Sequence, residues 1–245
     1  MESLIEVRDL RFQFPDGTEA LRGIDFRMMR GECVILFGPN GSGKTTFALH
    51  LNGLLRGKGD IRICGMPMET KNLAAIRRKV GLVFQDPDEQ LFMPTVLEDV
   101  AFGLLNQGMP VEQARKAALR ELELVGMAHA AARAPYHLSC GEKRRVALAG
   151  VLAMQPEILV LDEPTTSLDP PAQRDLVDLL LELPQVKIVT THDGHFARAI
   201  GTRAVFFREG RVAGEGGVEE VLRRFNWESY ATAREPGAGG FARRS

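Results

Sequence analysis

The chain has 245 residues, 44% of them hydrophobic and 26% charged, a length and composition suited to one large globular domain with a core that needs no disulfides. A formal net charge of -1 excludes the strongly basic balance expected of a protein whose main partner is nucleic acid. Three scattered cysteines, Cys33, Cys64 and Cys140, have no metal-ligand spacing and fit a reducing compartment.

The first residues, Met1 to Glu6, lack the basic start and apolar core of a signal peptide. No apolar run reaches the roughly 18 residues needed to span a bilayer. From Ile5 to Phe37 the pattern is strand-like, in pairs such as Ile5 and Val7, Phe12 and Phe14, and Ile24 and Phe26, punctuated by turn signals at Pro15-Asp16-Gly17 and Arg30-Gly31. Val34 to Phe37 is apolar without alternation, as expected of a strand buried on both faces. Gly38 to Gly43 reads as a glycine-rich turn and Lys44 to Leu55 as a helix. A strand at Val80 to Phe84 leads into the polar stretch Gln85 to Gln90. Leu97 to Gly126 is mostly helical, with Val111 to Val125 its clearest amphipathic segment. A helix from Gly141 to Met154 precedes a buried strand at Ile158 to Leu161. Helix Pro171 to Leu183 and strands Val186 to Thr190 and Ala204 to Arg208 follow. Pro236 to Ser245 reads as a mobile tail. Strands alternating with helices predict an α/β core on a largely parallel sheet.

Gly38-Pro39-Asn40-Gly41-Ser42-Gly43-Lys44-Thr45 fits the phosphate-loop pattern G-x-x-x-x-G-K-[ST] between a predicted strand and a predicted helix. Glycines there let consecutive N–H groups converge on phosphate oxygens, and the helix N-terminus adds partial positive charge. Lys44 can reach terminal phosphates, and the Thr45 hydroxyl can ligate Mg²⁺. Farther on, Ile158 to Leu161 delivers Asp162 and Glu163 to the carboxyl end of a buried strand, where ligands of open α/β sheets gather. Asp162 is expected to hold Mg²⁺ through water, and Glu163 to orient or deprotonate the attacking water.

Leu138-Ser139-Cys140-Gly141-Glu142 comes next in the argument, with Ser139 placed 23 residues before Asp162. With this stretch the chain resembles the ABC ATPases over nearly its whole length. The elements run in order: Phe14, the phosphate loop, Gln85, the signature at Ser139, Asp162-Glu163, Ser167-Leu168-Asp169 and His192. The resemblance implies a P-loop NTPase core of ABC type with an antiparallel β subdomain and a helical subdomain. It would occupy residues 1–225, with the helical part at about 86–155 and a short tail at 226–245. It implies that Phe14 stacks on adenine, with core packing as the alternative for a Phe in a strand, and that Thr46 joins the phosphate loop in contacting ATP. Gln85 would touch Mg²⁺ and the water, and His192 the γ-phosphate. Ser139 and Gly141 open a predicted helix and so offer a hydroxyl and free N–H groups to an anion. In the family that anion is the ATP of a second subunit, beside which Asp169 would cross the interface. The signature departs from the commonest form, Leu-Ser-Gly-Gly-Gln, at Cys140 and Glu142.

Within the family the chain looks most like the ATPases of energy-coupling-factor importers, especially the cobalt and nickel group. The stretches that carry this are Val83 to Phe92, Thr95 to Gly103 and Arg145 to Met154. The resemblance implies a transmembrane scaffold and a substrate-binding membrane subunit as partners, and a second ATPase subunit, read as an identical copy. It implies a place on the cytoplasmic face of the membrane and no nucleic-acid partner. Another ABC transporter, such as a vitamin importer, or an ABC ATPase not tied to a membrane stays open as the alternative.

Overall fold

Side chains alternate across a strand, so a strand buried on both faces must be apolar at every position. In the computed structural model, which describes residues 3–227, three five-residue strands of the central sheet follow this except at Asp162 and Thr190, which end their strands, and at Lys187, whose buried ammonium donates to the Leu183 and Gln185 carbonyls. The three strands are β3 (Cys33–Phe37), β7 (Ile158–Asp162) and β8 (Val186–Thr190), each buried along its whole length. Two further elements, β6 (Val80–Val83) and β9 (Arg203–Arg208), run parallel to them, and β10 (Arg211–Gly216) turns back antiparallel at the edge. The order is β10-β9-β3-β8-β7-β6. A second sheet, all antiparallel, has the order β2-β1-β4-β5 and comprises β1 (Ser3–Gln13), β2 (Glu19–Met29), β4 (Lys58–Ile63) and β5 (Met66–Pro67).

The two faces of the parallel sheet feed two separate cores. Val34, Leu36, Ile158, Val160, Val205 and Phe207 point toward the antiparallel sheet and α1 (Lys44–Leu51), where they meet Ile5, Ile24, Met28 and Phe47. Ile35, Phe37, Leu159, Leu161, Val189 and Phe206 point the other way, toward helices. Those are α3 (Val96–Asn106), α4 (Val111–Leu124), α5 (Cys140–Ala153), α6 (Pro170–Glu182), α7 (Gly194–Ile200) and α8 (Val218–Arg224). Each fully buried Phe, Leu or Ile contributes about 1.5–3 kcal/mol. The sheet is thus fixed from both sides, and its carboxyl edge becomes a rigid rim.

Helices α3 and α5 begin with paired caps. At α3, Thr95 Oγ1 accepts from the Glu98 N–H while the Glu98 carboxylate accepts from the Thr95 N–H; at α5, Ser139 and Glu142 do the same. Short α2 (Leu73–Lys79) buries only Ile76.

Four expectations change. The helix after the phosphate loop stops at Leu51 rather than Leu55, because Gly53 takes φ 71° and donates its N–H to the His50 carbonyl. Phe14 lies past the end of β1, in a tight loop closed by its N–H to the Thr18 carbonyl at 2.9 Å. The helix of the signature begins at Cys140. Trp227 is only 4% exposed and packs in the helical core, so the packed chain extends beyond position 225. The expected tail at 236–245 lies outside the described residues. Among the described residues, no helix is long and apolar enough to cross a membrane.

Candidate active site

The carboxyl ends of β3, β6, β7 and β8 converge on one cleft of about 480 Å³. It is lined by Phe14, Asn40, Gly41, Ser42, Gly43, Lys44, Thr45, Thr46, Gln85, Glu163, Thr166 and His192, with Thr18 to Ala20 on one side. Two glycines show why the loop after β3 has this sequence. A Cβ on Gly38, at φ 144°, would lie 2.2 Å from the Phe207 carbonyl oxygen. One on Gly43, at φ 104°, would lie 2.7 Å from the Ala20 carbonyl oxygen. Gly43 is the N-cap of α1 and no side chain caps that helix, so its first N–H groups remain for an outside acceptor.

Lys44 is 7% exposed and folds its ammonium back onto the carbonyls of Gly38 at 2.7 Å and Pro39 at 3.1 Å. Burial holds its pKa below the ordinary lysine value, while the carboxylates of Glu163 and Asp162 pull it up. Asp162, 6% exposed, accepts hydrogen bonds on Oδ1 from the Thr45 hydroxyl at 3.1 Å and from the Thr190 hydroxyl. Burial raises its pKa against those two hydrogen bonds. Register explains the Thr190 contact, since Thr190 stands directly opposite Asp162 in the β7–β8 pair.

Glu163 adopts φ 45°. Its N–H donates to Thr190 Oγ1 at 2.9 Å and to the Thr190 carbonyl at 3.1 Å. Its side-chain carboxylate lies 2.8 Å from His192 Nδ1, and this hydrogen bond raises the His192 pKa. The His192 carbonyl in turn accepts from Trp227 Nε1 at 3.2 Å. Phe14, 37% exposed, meets Phe12 edge-on at 4.9 Å and leaves a face open at the mouth of the cleft.

The cleft is built for a polyanion with a hard cation. Ser42 Oγ and Thr166 Oγ1 are buried without a partner, and such groups call for an acceptor or donor from outside. Thr45 and Asp162 pair a hydroxyl with a carboxylate, a donor set suited to Mg²⁺. A carboxylate hydrogen-bonded to an imidazole within the same cleft is equipped to take a proton from water.

Ser139, Gly141 and Asp169 lie elsewhere. Ser139 and Gly141 sit at the start of α5, and a Cβ on Gly141 would lie 3.4 Å from the Leu168 side chain. Asp169 caps α6, its Oδ1 accepting from the Ala172 N–H at 2.9 Å. None of the three lines the phosphate cleft. The anion site expected at Ser139 is taken within the chain: the Glu142 carboxylate accepts from the Ser139 N–H at 2.7 Å and the Ser139 hydroxyl at 2.9 Å. Glu142 is itself the fifth residue of the signature, and a carboxylate three residues after a serine signals this cap in sequence. Thr190, Thr166 and Arg144 were not anticipated. Of these only Thr190, a polar residue closing an apolar strand, carried any signal.

The ABC transporter family model matches residues 21–166, more than half of the chain and spanning the phosphate loop and Asp162-Glu163. The chain belongs to the ABC transporter ATPase family. This ABC ATPase is 46% identical to the energy-coupling factor transporter ATP-binding protein EcfA of Methanothermobacter thermautotrophicus, over 95% of its own length and 77% of that protein's. It superposes on cbiO1 from Clostridium perfringens, described as part of the ABC transporter complex cbiONQ. There the TM-score is 0.81 at 36% identity, covering 96% of this chain and 97% of the other. A dimeric ATP-binding cassette in a post-hydrolysis state with ADP and Pi matches at TM-score 0.80 and 30% identity, over 87% of this ABC ATPase and 98% of the cassette.

Proposed function

We propose that this ABC ATPase hydrolyses MgATP as the energising subunit of an energy-coupling-factor importer, with cobalt or another transition metal ion as cargo. The observation that carries the catalytic reading is the cleft that joins Lys44, Thr45, Glu163 and His192, with Asp162 behind it on the Thr45 hydroxyl. The loop from Gly38 to Thr46 would cradle the phosphates, and Lys44 would leave the loop carbonyls for the terminal phosphate. Thr45, Asp162 and Gln85 would hold Mg²⁺, which neutralises charge on the phosphate oxygens. Glu163 takes the proton of the attacking water, and His192, hydrogen-bonded to it, faces the γ-phosphate. Phe14 offers its open face to adenine.

The second half of the site comes from another copy of the chain. Ser139, Gly141 and Asp169 are on the surface away from the cleft, so two copies facing each other would place one copy's α5 N-terminus against ATP held by the other. The dimeric cassette bound to ADP and Pi supports this reading. Glu142 would then have to yield the Ser139 N–H to a phosphate.

The membrane side is read from a groove of about 630 Å³ between α2, α3 and α5. Phe92, 64% exposed, Phe102 and Met154 make it apolar. Beside it the loop after Gln85 carries Asp86 and Glu89, both exposed, whereas Asp88 is held by Lys143 at 2.6 Å. A transmembrane scaffold subunit that offers an apolar helix with arginines would fit there, with a substrate-binding membrane subunit completing the importer. On this reading the chain sits on the cytoplasmic face, as a peripheral component. Support for the energy-coupling-factor assignment comes from EcfA and cbiO1. A vitamin importer is the second reading, because the EcfA relative is an energy-coupling factor ATP-binding protein with no cargo specified.

Reconstitution with its membrane subunits in vesicles tests this. ATP-dependent uptake of Co²⁺, diminished by Asp86→Lys with Glu89→Lys while ATP binding by the isolated chain persists, is the expected result. Uptake of a vitamin but not Co²⁺ would move the cargo to the second reading. Uptake unchanged by the charge reversal would place the membrane contact elsewhere.

A further inference from the structure

Arg144, on α5 one helical turn after Cys140, is an arginine buried to within 4% exposure. Buried charges are normally paired with an opposite charge; here the Cys140 thiol and the carboxylates of Asp86 and Glu163 lie near enough to act on the guanidinium, while its two short hydrogen bonds go to backbone carbonyls. Nη1 donates to the Glu163 carbonyl at 2.7 Å and Nη2 to the Gln85 carbonyl at 2.8 Å. Its Nε has no partner. The guanidinium fork thus joins three parts of the chain that sequence holds far apart: the signature helix, the loop after β6 and the turn after β7.

The Glu163 contact falls on a strained peptide. Residues with side chains adopt φ 45° only where the surroundings fix the turn from more than one side. Thr190 fixes the N–H end of Glu163 and Arg144 fixes the carbonyl end. The direction of the carboxylate is set by this turn, and charge-assisted hydrogen bonds from a planar fork are the stiffest way to hold it.

We infer that Arg144 is a positioning residue for hydrolysis, locking the turn at Glu163 and the Gln85 carbonyl to the helix capped by Ser139. A shift of the first turn of α5 is therefore passed directly to the carboxylate that faces the water. The inference rests on the reading of Glu163 as the base. Lysine could reach one carbonyl but lacks the fork needed for both.

The test compares Arg144→Met and Arg144→Lys with the native protein in steady-state turnover, in equilibrium binding of a fluorescent ATP analogue and in thermal melts. Arg144→Met is expected to lower kcat by about 10- to 10²-fold, the scale of a misplaced catalytic group, with nucleotide affinity held within about twofold. Arg144→Lys should recover part of the loss. In a Glu163→Gln background, Arg144→Met should change the residual rate little, because groups that act as a unit are not additive. Folded Arg144 variants with native kcat would overturn the inference, and so would losses that multiply in the Glu163→Gln background. If Arg144→Met does not fold, Arg144→Lys carries the same comparison. Native turnover in Glu163→Gln alone would instead remove the base assignment and leave the Arg144 result to be read by itself.

Discussion

Glu163 combines a carboxylate in the phosphate cleft, a left-handed peptide and a hydrogen-bonded imidazole. Glu163→Gln keeps the shape of the side chain and removes its basicity, so hydrolysis should fall by roughly 10²-fold or more while ATP binding persists; a phosphate-release assay beside a binding titration decides it, and native turnover would remove the assignment. His192 gives a pH signature. Its folded pKa is raised above 6.5 by the Glu163 carboxylate, so its contribution to stability is complete below the unfolded value and is lost as pH climbs through the raised one. The melting temperature of the nucleotide-free protein should therefore drop between about pH 6 and pH 8 more steeply than that of His192→Gln. Parallel curves for the two proteins would contradict this, and the side chain's 61% exposure keeps the difference small. The grouping of Lys44, Thr45, Asp162 and Glu163 was legible in the sequence because it follows from local spacing. Thr190 and Arg144 were not, because each acts on backbone or carboxylate groups 19 to 59 positions away.

Helix α5 carries competing demands at its first turn. The Ser139–Glu142 cap closes it within the chain, whereas the proposed second subunit needs the same N–H groups for phosphate. Cys140, exposed between Ser139 and Gly141, supplies that turn with a backbone N–H and adds bulk, and its thiol lies near enough to the Arg144 guanidinium to act on it. Cys140→Gly should match or exceed the native ATPase rate; a large loss would reveal a role for the thiol. The elements that sequence patterning located are those whose own residues fix them: β3 and β7 through their apolar runs, β8 through its β-branched residues, and α4 through its amphipathic face. Those it passed over are β4, β5, β10, α2, α7 and α8. Strand β10, Arg-Val-Ala-Gly-Glu-Gly, has no buried face pattern of its own and exists because β9 pairs with it. Helix α2 buries one side chain in seven residues. Such segments are shaped by the surfaces they land on, and that information is not local.

The molecule as a whole places a rigid rim between two cores and distributes its site residues over two surfaces. A single copy holds the phosphate cleft and, elsewhere, the residues proposed to close another copy's cleft. Glu163→Gln protein with MgATP should sediment as a dimer, and without nucleotide mostly as a monomer. A monomer at saturating MgATP would point to a different obligatory partner. The parallel core followed from the strand pattern, and its antiparallel companion only from the resemblance. The division of the site into two surfaces followed only from the resemblance, since spacing alone does not say whether Ser139 meets Lys44 of its own chain.

Trp227 is the chain's one tryptophan. It is buried against Phe37 and Phe206 and hydrogen-bonded to the carbonyl of His192. The molecule therefore contains a natural optical probe wired to the edge of its cleft. Its emission should be blue-shifted, as for an indole shielded from water, and should change in intensity when a nucleotide arrives at His192. An unlabelled titration read at one wavelength would then report occupancy directly, and a signal indifferent to saturating MgATP would show that the His192 backbone stays still during binding.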